Sequence, residues 1–172
     1  MKSLKWVGSL LLVVAVSIFL FNYLTLQIPA NKKILEDSRN IGVKISLHYK
    51  YFILPSILIF DIKSLSGEKS PSDVFRVFLN TAASLKNKEY SKVELFSKGK
   101  IKFFIKGSYF KQLGAEYGEQ NVVYTIRTFP ENLFLSNGAS AYQQWSGGWL
   151  GVMSKQMEDF NDACNKWFKE DY

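Results

Sequence analysis

Two side chains in this sequence could make a nucleophile–base pair, His48 and Cys164, and each is the only residue of its type. A thiol becomes a nucleophile when a base lies within hydrogen-bond reach and the local field lowers its pKa. The neighbours of these two residues argue against such a pair. His48 falls on the polar side of an alternating segment with Lys44, Ser46 and Lys50, whereas Cys164 shares an apolar stripe with Met153, Met157, Phe160 and Trp167. The expectation is a solvent-facing imidazole and a small core thiol. One cysteine excludes an intrachain disulfide and a multi-thiolate metal site, and one histidine excludes HExxH. No metal and no cofactor is expected.

Carboxylates are the other reactive class: Glu116, Glu119, Glu131, and the group Glu158, Asp159 and Asp162. Glycoside hydrolysis needs two carboxyl groups facing one another across a bond. Glu158 and Asp162 instead sit four apart, opposite an apolar seam, which is the pattern of a solvated helix face. The sequence contains no GxxxxGK[ST] phosphate loop, no GxSxG elbow and no GxGxxG turn. A non-catalytic role is expected.

Binding chemistry is better represented. The segment Thr128 to Trp149 is rich in aromatic, amide and glycine residues, and long irregular segments in compact domains are commonly functional. Phe129, Phe134, Tyr142, Trp145 and Trp149 are its candidate partner-binding residues, since Trp and Tyr dominate interface energetics. The competing reading is that these rings close one end of the core. Trp145 and Trp149, with Glu131, are also the residues that would make a cell-wall glycan site. A second candidate surface is basic. The chain has a net charge of +7, and eight lysines lie between Lys86 and Lys111, against Glu89 and Glu94. Lys100, Lys102 and Lys106 share one side of a strand beside Phe104. Such a face suits solvent, an acidic partner or anionic lipid, and less well nucleic acid, because it lacks arginine and a recognised motif.

These surfaces must be carried by a small set of elements. Residues 6–31 are uncharged and the apolar run reaches Leu26. A helix over 6–26 is about 31 Å long, matching a hydrocarbon core of roughly 30 Å. Trp6 and Tyr23 fall near its ends, where amphipathic rings favour headgroups. The apolar run exceeds that of a cleavable signal, and Ile28-Pro29-Ala30 is a poor cleavage site. The reading is a basic tail at 1–5, a signal anchor at 6–26, a polar juxtamembrane linker at 27–42 and a soluble domain at 43–172. Lys2, Lys5 and the amino terminus favour N-in, although Lys32, Lys33, Arg39 and Lys44 on the other flank pull the opposite way.

Within 43–172, alternation from Val43 to Ile53 predicts a strand, and 57–62 a second, buried one. Ser70-Pro71-Ser72-Asp73 predicts a capped helix running to about Asn87. A hairpin follows, with Ser97-Lys98-Gly99 read as a three-residue loop that pairs Leu95 with Ile101 and Val93 with Phe103. A short helix capped by Ser108, a fifth strand at Val122–Thr128 and a terminal amphipathic helix complete the domain. The class is α+β, with a largely antiparallel sheet of about five strands and about three helices after the membrane helix.

The functional expectation is a non-catalytic, single-pass domain of the bacterial envelope, tethered to the inner membrane and facing the periplasm. Its partner would be another envelope protein, such as a secretion component or a toxin it restrains. The alternatives are a glycan binder or weak hydrolase, and a cytosol-facing module for anionic lipid or nucleic acid.

Overall fold

The computed structural model describes residues 2–172, with side chains described from Trp6 onward, so the charges of the 1–5 tail lie outside the described residues. The helical elements are α1 (Lys2–Asn22), α2 (Ile28–Ile34), α3 (Pro71–Leu85), α4 (Gly107–Glu116), α5 (Val122–Thr128) and α6 (Trp149–Trp167). The strands are β1 (Val43–Lys50), β2 (Leu54–Leu65), β3 (Lys92–Ser97) and β4 (Lys100–Lys106).

The class is α+β, built on a four-stranded sheet in the order β1-β2-β3-β4. The outer pairs are antiparallel hairpins, but the central pair β2–β3 is parallel and is joined through α3. The sheet is therefore mixed, not largely antiparallel. The expected fifth strand is helix α5. Its Val-Val-Tyr-Thr-Ile composition favours extended structure, yet the Asn121 side chain accepts the Val123 N–H at 2.9 Å and starts a helix. Thr125 and Phe129, four apart, then both turn inward, so burial overrides local propensity.

α3 begins as its sequence predicts. The Ser70 side chain accepts the Asp73 N–H, and Asp73 accepts the Ser70 N–H at 3.0 Å, a reciprocal capping box with Pro71 in the first position. The β3–β4 turn differs from the expectation. Ser97 pairs with Lys100, so the loop is the two residues Lys98 and Gly99, with φ of 48° and 78°. A register shift between Leu95 and Phe96 then restores Leu95 opposite Phe103 and Val93 opposite Ile105. A bulge, not a longer loop, keeps the core side apolar, and it moves Ile101 to the exposed side.

One sheet face carries Leu47, Leu58, Phe60, Ile62, Val93, Leu95, Phe103 and Ile105, all buried. Phe60 packs edge-on against Phe78 of α3 and against Trp167 of α6. α4 approaches α3 closely, because a Cβ on Gly114 would lie 2.3 Å from the Ala82 carbonyl oxygen. The opposite face presents the row His48, Ile59, Glu94 and Phe104, one residue from each strand.

The first part of the segment read as a polar linker, through Ile34, continues the N-terminal helix. α1 passes through a π-helical segment, Tyr23–Gln27, into α2, and Leu26, Ala30 and Ile34 are buried in the core. Asn40 closes the end of α2 by donating to the Ile34 carbonyl at 2.8 Å. Trp6–Ile34 is long and apolar enough to cross a membrane, and its most apolar stretch is almost wholly uncovered.

Candidate functional site

The junction between the apolar helix and the sheet is built from two amides. β1 is an edge strand, so alternate backbone groups on its free side need partners. Gln27 accepts the Leu47 N–H at 2.8 Å, and Asn22 accepts the Tyr49 N–H at 2.7 Å. The Asn22 amide also donates to the Phe52 carbonyl at 2.8 Å and back to Ile18 at 2.9 Å. In a regular α-helix, residues five apart point about 140° away from one another. The π-helical segment between them, with its wider turn, lets both amides serve the same strand edge. Within the same helix, Ser17 donates to Val13 and Thr25, in the π-helical segment, to Phe21, so these hydroxyls are satisfied internally. Neither amide stood out in the sequence. The available signal was two carboxamides within an otherwise apolar run.

The aromatic segment divides into structural and exposed residues. Phe129 is fully buried, stacked against Trp167 and edge-on to Phe75, so it belongs to the core and not to a partner surface. Phe134 extends the sheet edge, with its backbone paired to Phe104 and the two rings stacked. The Tyr142 hydroxyl donates to Asp162 and the Trp145 indole N–H to Asp159, both at 2.7 Å, which fastens the loop to α6. The Lys155 ammonium lies 4.2 Å from the Trp145 ring centre. Glu131 accepts from Gln156 at 2.5 Å, and Gln156 in turn accepts from Arg127. Trp149 is left free, 65% exposed, and Leu150 beside it is 70% exposed. Val122, Val123 and Tyr124 are likewise exposed on α5, which packs on α6.

The lysine surface is partly neutralised. Glu94 is buried on the outer sheet face and accepts from both Lys50 and Lys92, at 2.8 and 2.9 Å. Burial pushes its carboxyl upward in pKa, but the two lysines outweigh that and hold it below the ordinary glutamate value. The Lys92 ammonium lies over the Phe104 ring and that of Lys106 over Phe134. Lys102 pairs with Asp171 at 3.0 Å, whereas Lys100 is exposed. The three lysines singled out in the sequence therefore do not act as one free cluster.

His48 stacks on Phe52 at 4.4 Å on the outer face, while Cys164 is buried in the helix layer, so the sheet separates them. Among the described residues, no group of three His, Cys, Asp or Glu side chains is placed to hold a metal. No protein-family profile, characterised protein or solved structure matches this chain.

Proposed function

We propose that this chain is a single-pass, membrane-anchored binding module of the bacterial cell envelope. It sits in the inner membrane with its domain outside the cytoplasm, and it engages another envelope protein through α5 and the start of α6. The observation that carries the reading is the apolar helix Trp6–Ile34, uncovered along its first part and locked to the sheet edge along its last. In water such a helix would expose a long run of apolar surface, which soluble monomers avoid. Trp149 and Leu150, with Val122, Val123 and Tyr124, supply the aromatic and aliphatic anchors typical of a protein interface. A glycan site has less support, because Trp145 already carries Lys155 on its ring and Glu131 is engaged by Gln156.

Alkaline carbonate extraction of membranes tests the anchor: the full chain stays in the pellet, and release into the supernatant would refute anchoring. A reporter fused after Tyr172 and active only outside the cytoplasm tests the side. A photo-crosslinking residue at Trp149 should join one envelope protein, while the same residue at the exposed Glu68 should not. Equal adducts from both positions, or none from Trp149, would remove this surface.

A further inference from the structure

Tyr51, Phe52, Ile53 and Leu54 form the tip of the β1–β2 hairpin, and all four are exposed, Tyr51 at 74% and Ile53 at 67%. The backbone there suits other residues. Tyr51 and Phe52 have φ of 54° and 64°, a region that favours Gly or Asn and in which bulky side chains are outliers. The turn thus holds large rings where the backbone favours small residues: Tyr51 stands open to solvent, and Phe52, stacked on His48, is still 40% exposed. The tip stands beside α1: Ser17, Ile18 and Phe21 line an apolar groove together with Phe52, Ile53 and Pro55.

The position of the tip along the helix is fixed by Asn22, which bonds both Tyr49 and Phe52. Helical rise places Asn22 about 24 Å from Trp6, so a hydrocarbon core of roughly 30 Å starting at Trp6 ends near Leu26, about one turn beyond. No flexible linker separates helix from sheet, so the domain cannot stand off from that level. The same end of the sheet is basic. Because β2 and β3 run parallel, the connection from α3 to β3 and the start of α4 lie at the tip's end, as the Ser91-to-Ser56 and Gly107-to-Ser91 backbone bonds show. This places Lys86, Lys88, Lys92, Lys106 and Lys111 there, with Lys50, against Glu89 and Glu94.

We infer that the β1–β2 tip is a membrane wedge: Tyr51 to Leu54 enter the interfacial layer of the bilayer that holds α1, and the lysines at that end meet anionic headgroups. Apolar tips of this kind gain by leaving water, and juxtamembrane lysines gain from an anionic leaflet. The inference rests on the reading of α1 as a membrane anchor, and its test separates the two.

Nitroxide labels on I53C, L11C and S136C variants of the full chain in phosphatidylethanolamine–phosphatidylglycerol nanodiscs report depth, through relaxation by oxygen and by a water-soluble nickel chelate. The native Cys164 is 1% exposed, so it should label far more slowly than the introduced cysteines, and the unsubstituted chain carried through the same labelling sets the background. The expected result is Leu11 deep in the acyl region, Ile53 at the boundary and protected from nickel, and Ser136 in water. A water-exposed label at Ile53 with a deep label at Leu11 would overturn the wedge and leave the anchor standing. A water-exposed label at Leu11 would overturn both. Replacing the lipids with phosphatidylcholine alone should make the Ile53 label more accessible to nickel, and an unchanged depth would remove the lysines from the contact.

Discussion

Asn22 accepts the backbone N–H of Tyr49 at 2.7 Å, which ties the last turn of an apolar helix to an edge strand twenty-seven residues later. Asn22 is 2% exposed and satisfies three backbone groups at once. Its replacement by Leu keeps the helix apolar but leaves the Tyr49 N–H and the Phe52 carbonyl without partners. Unpaired buried polar groups cost about 1–3 kcal/mol. Asn22→Leu should therefore lower the unfolding free energy of the detergent-solubilised full chain by about that amount. Gln27→Leu should show a similar loss, and the double variant should reveal coupling, since both amides serve one strand edge. Denaturant unfolding with no loss in either single variant would show that the junction is held by packing alone.

Glu94 makes stability depend on pH. Its carboxyl is held below the ordinary glutamate value in the folded chain, so the folded state binds that proton less readily than the unfolded one. The sign follows directly. The contribution is fully present above the unfolded glutamate pKa of about 4.3 and is lost as pH falls through the lower, folded value. Glu94→Gln should cost about 1–3 kcal/mol at neutral pH, because the amide oxygen can still accept but Lys50 and Lys92 lose the buried negative charge that they share. It should also flatten the acid limb of a plot of unfolding free energy against pH. An acid limb as steep as that of the unaltered protein would assign the dependence to other carboxylates.

Much of the fold is readable from residues whose local chemistry agrees with their surroundings. Ser70, Pro71 and Asp73 specify a helix start without any tertiary contact, and the stripe of Phe160, Cys164 and Trp167 specifies the inner side of α6. Where local and non-local terms disagree, the sequence misleads. Val122 to Ile126 has strand composition and becomes helix because Asn121 caps it and Phe129 is drawn into the core. The parallel β2–β3 pairing depends on a crossover through α3, which alternation within single strands does not encode. The β3–β4 bulge is hidden for a related reason, since parity arguments alone favour an odd loop. The Asn22–Gln27 pair escapes helical periodicity because only a π-helical turn brings residues five apart together. Of the candidate contact residues, Trp149 is exposed and Phe129 is a core ring, a difference that composition alone does not tell apart.

Phe129 and Trp149 should separate stability from binding. Phe129 touches Phe75, Phe78, Tyr109 and Trp167, so Phe129→Ala opens a cavity and should cost about 3–5 kcal/mol. Trp149→Ala at an exposed helix start should change stability by less than about 0.5 kcal/mol. Thermal unfolding of both variants checks the contrast. A Trp149 variant as destabilised as the Phe129 variant would mean that the start of α6 is packed.

Cys164 offers a reporter of the opening of α6. Burial pushes its thiol up to about 12, so at neutral pH almost none of it is the reactive thiolate. Exposure is also nearly absent, which removes access for a reagent. Both barriers vanish together when the helix leaves the sheet. Labelling by a small maleimide should therefore be slow in the native state and should accelerate with denaturant along the unfolding curve followed by Trp fluorescence. Acceleration well before that transition would identify α6 as an element that detaches while the sheet and α3 remain folded. Rapid labelling in native buffer would contradict the placement of Cys164 in the core.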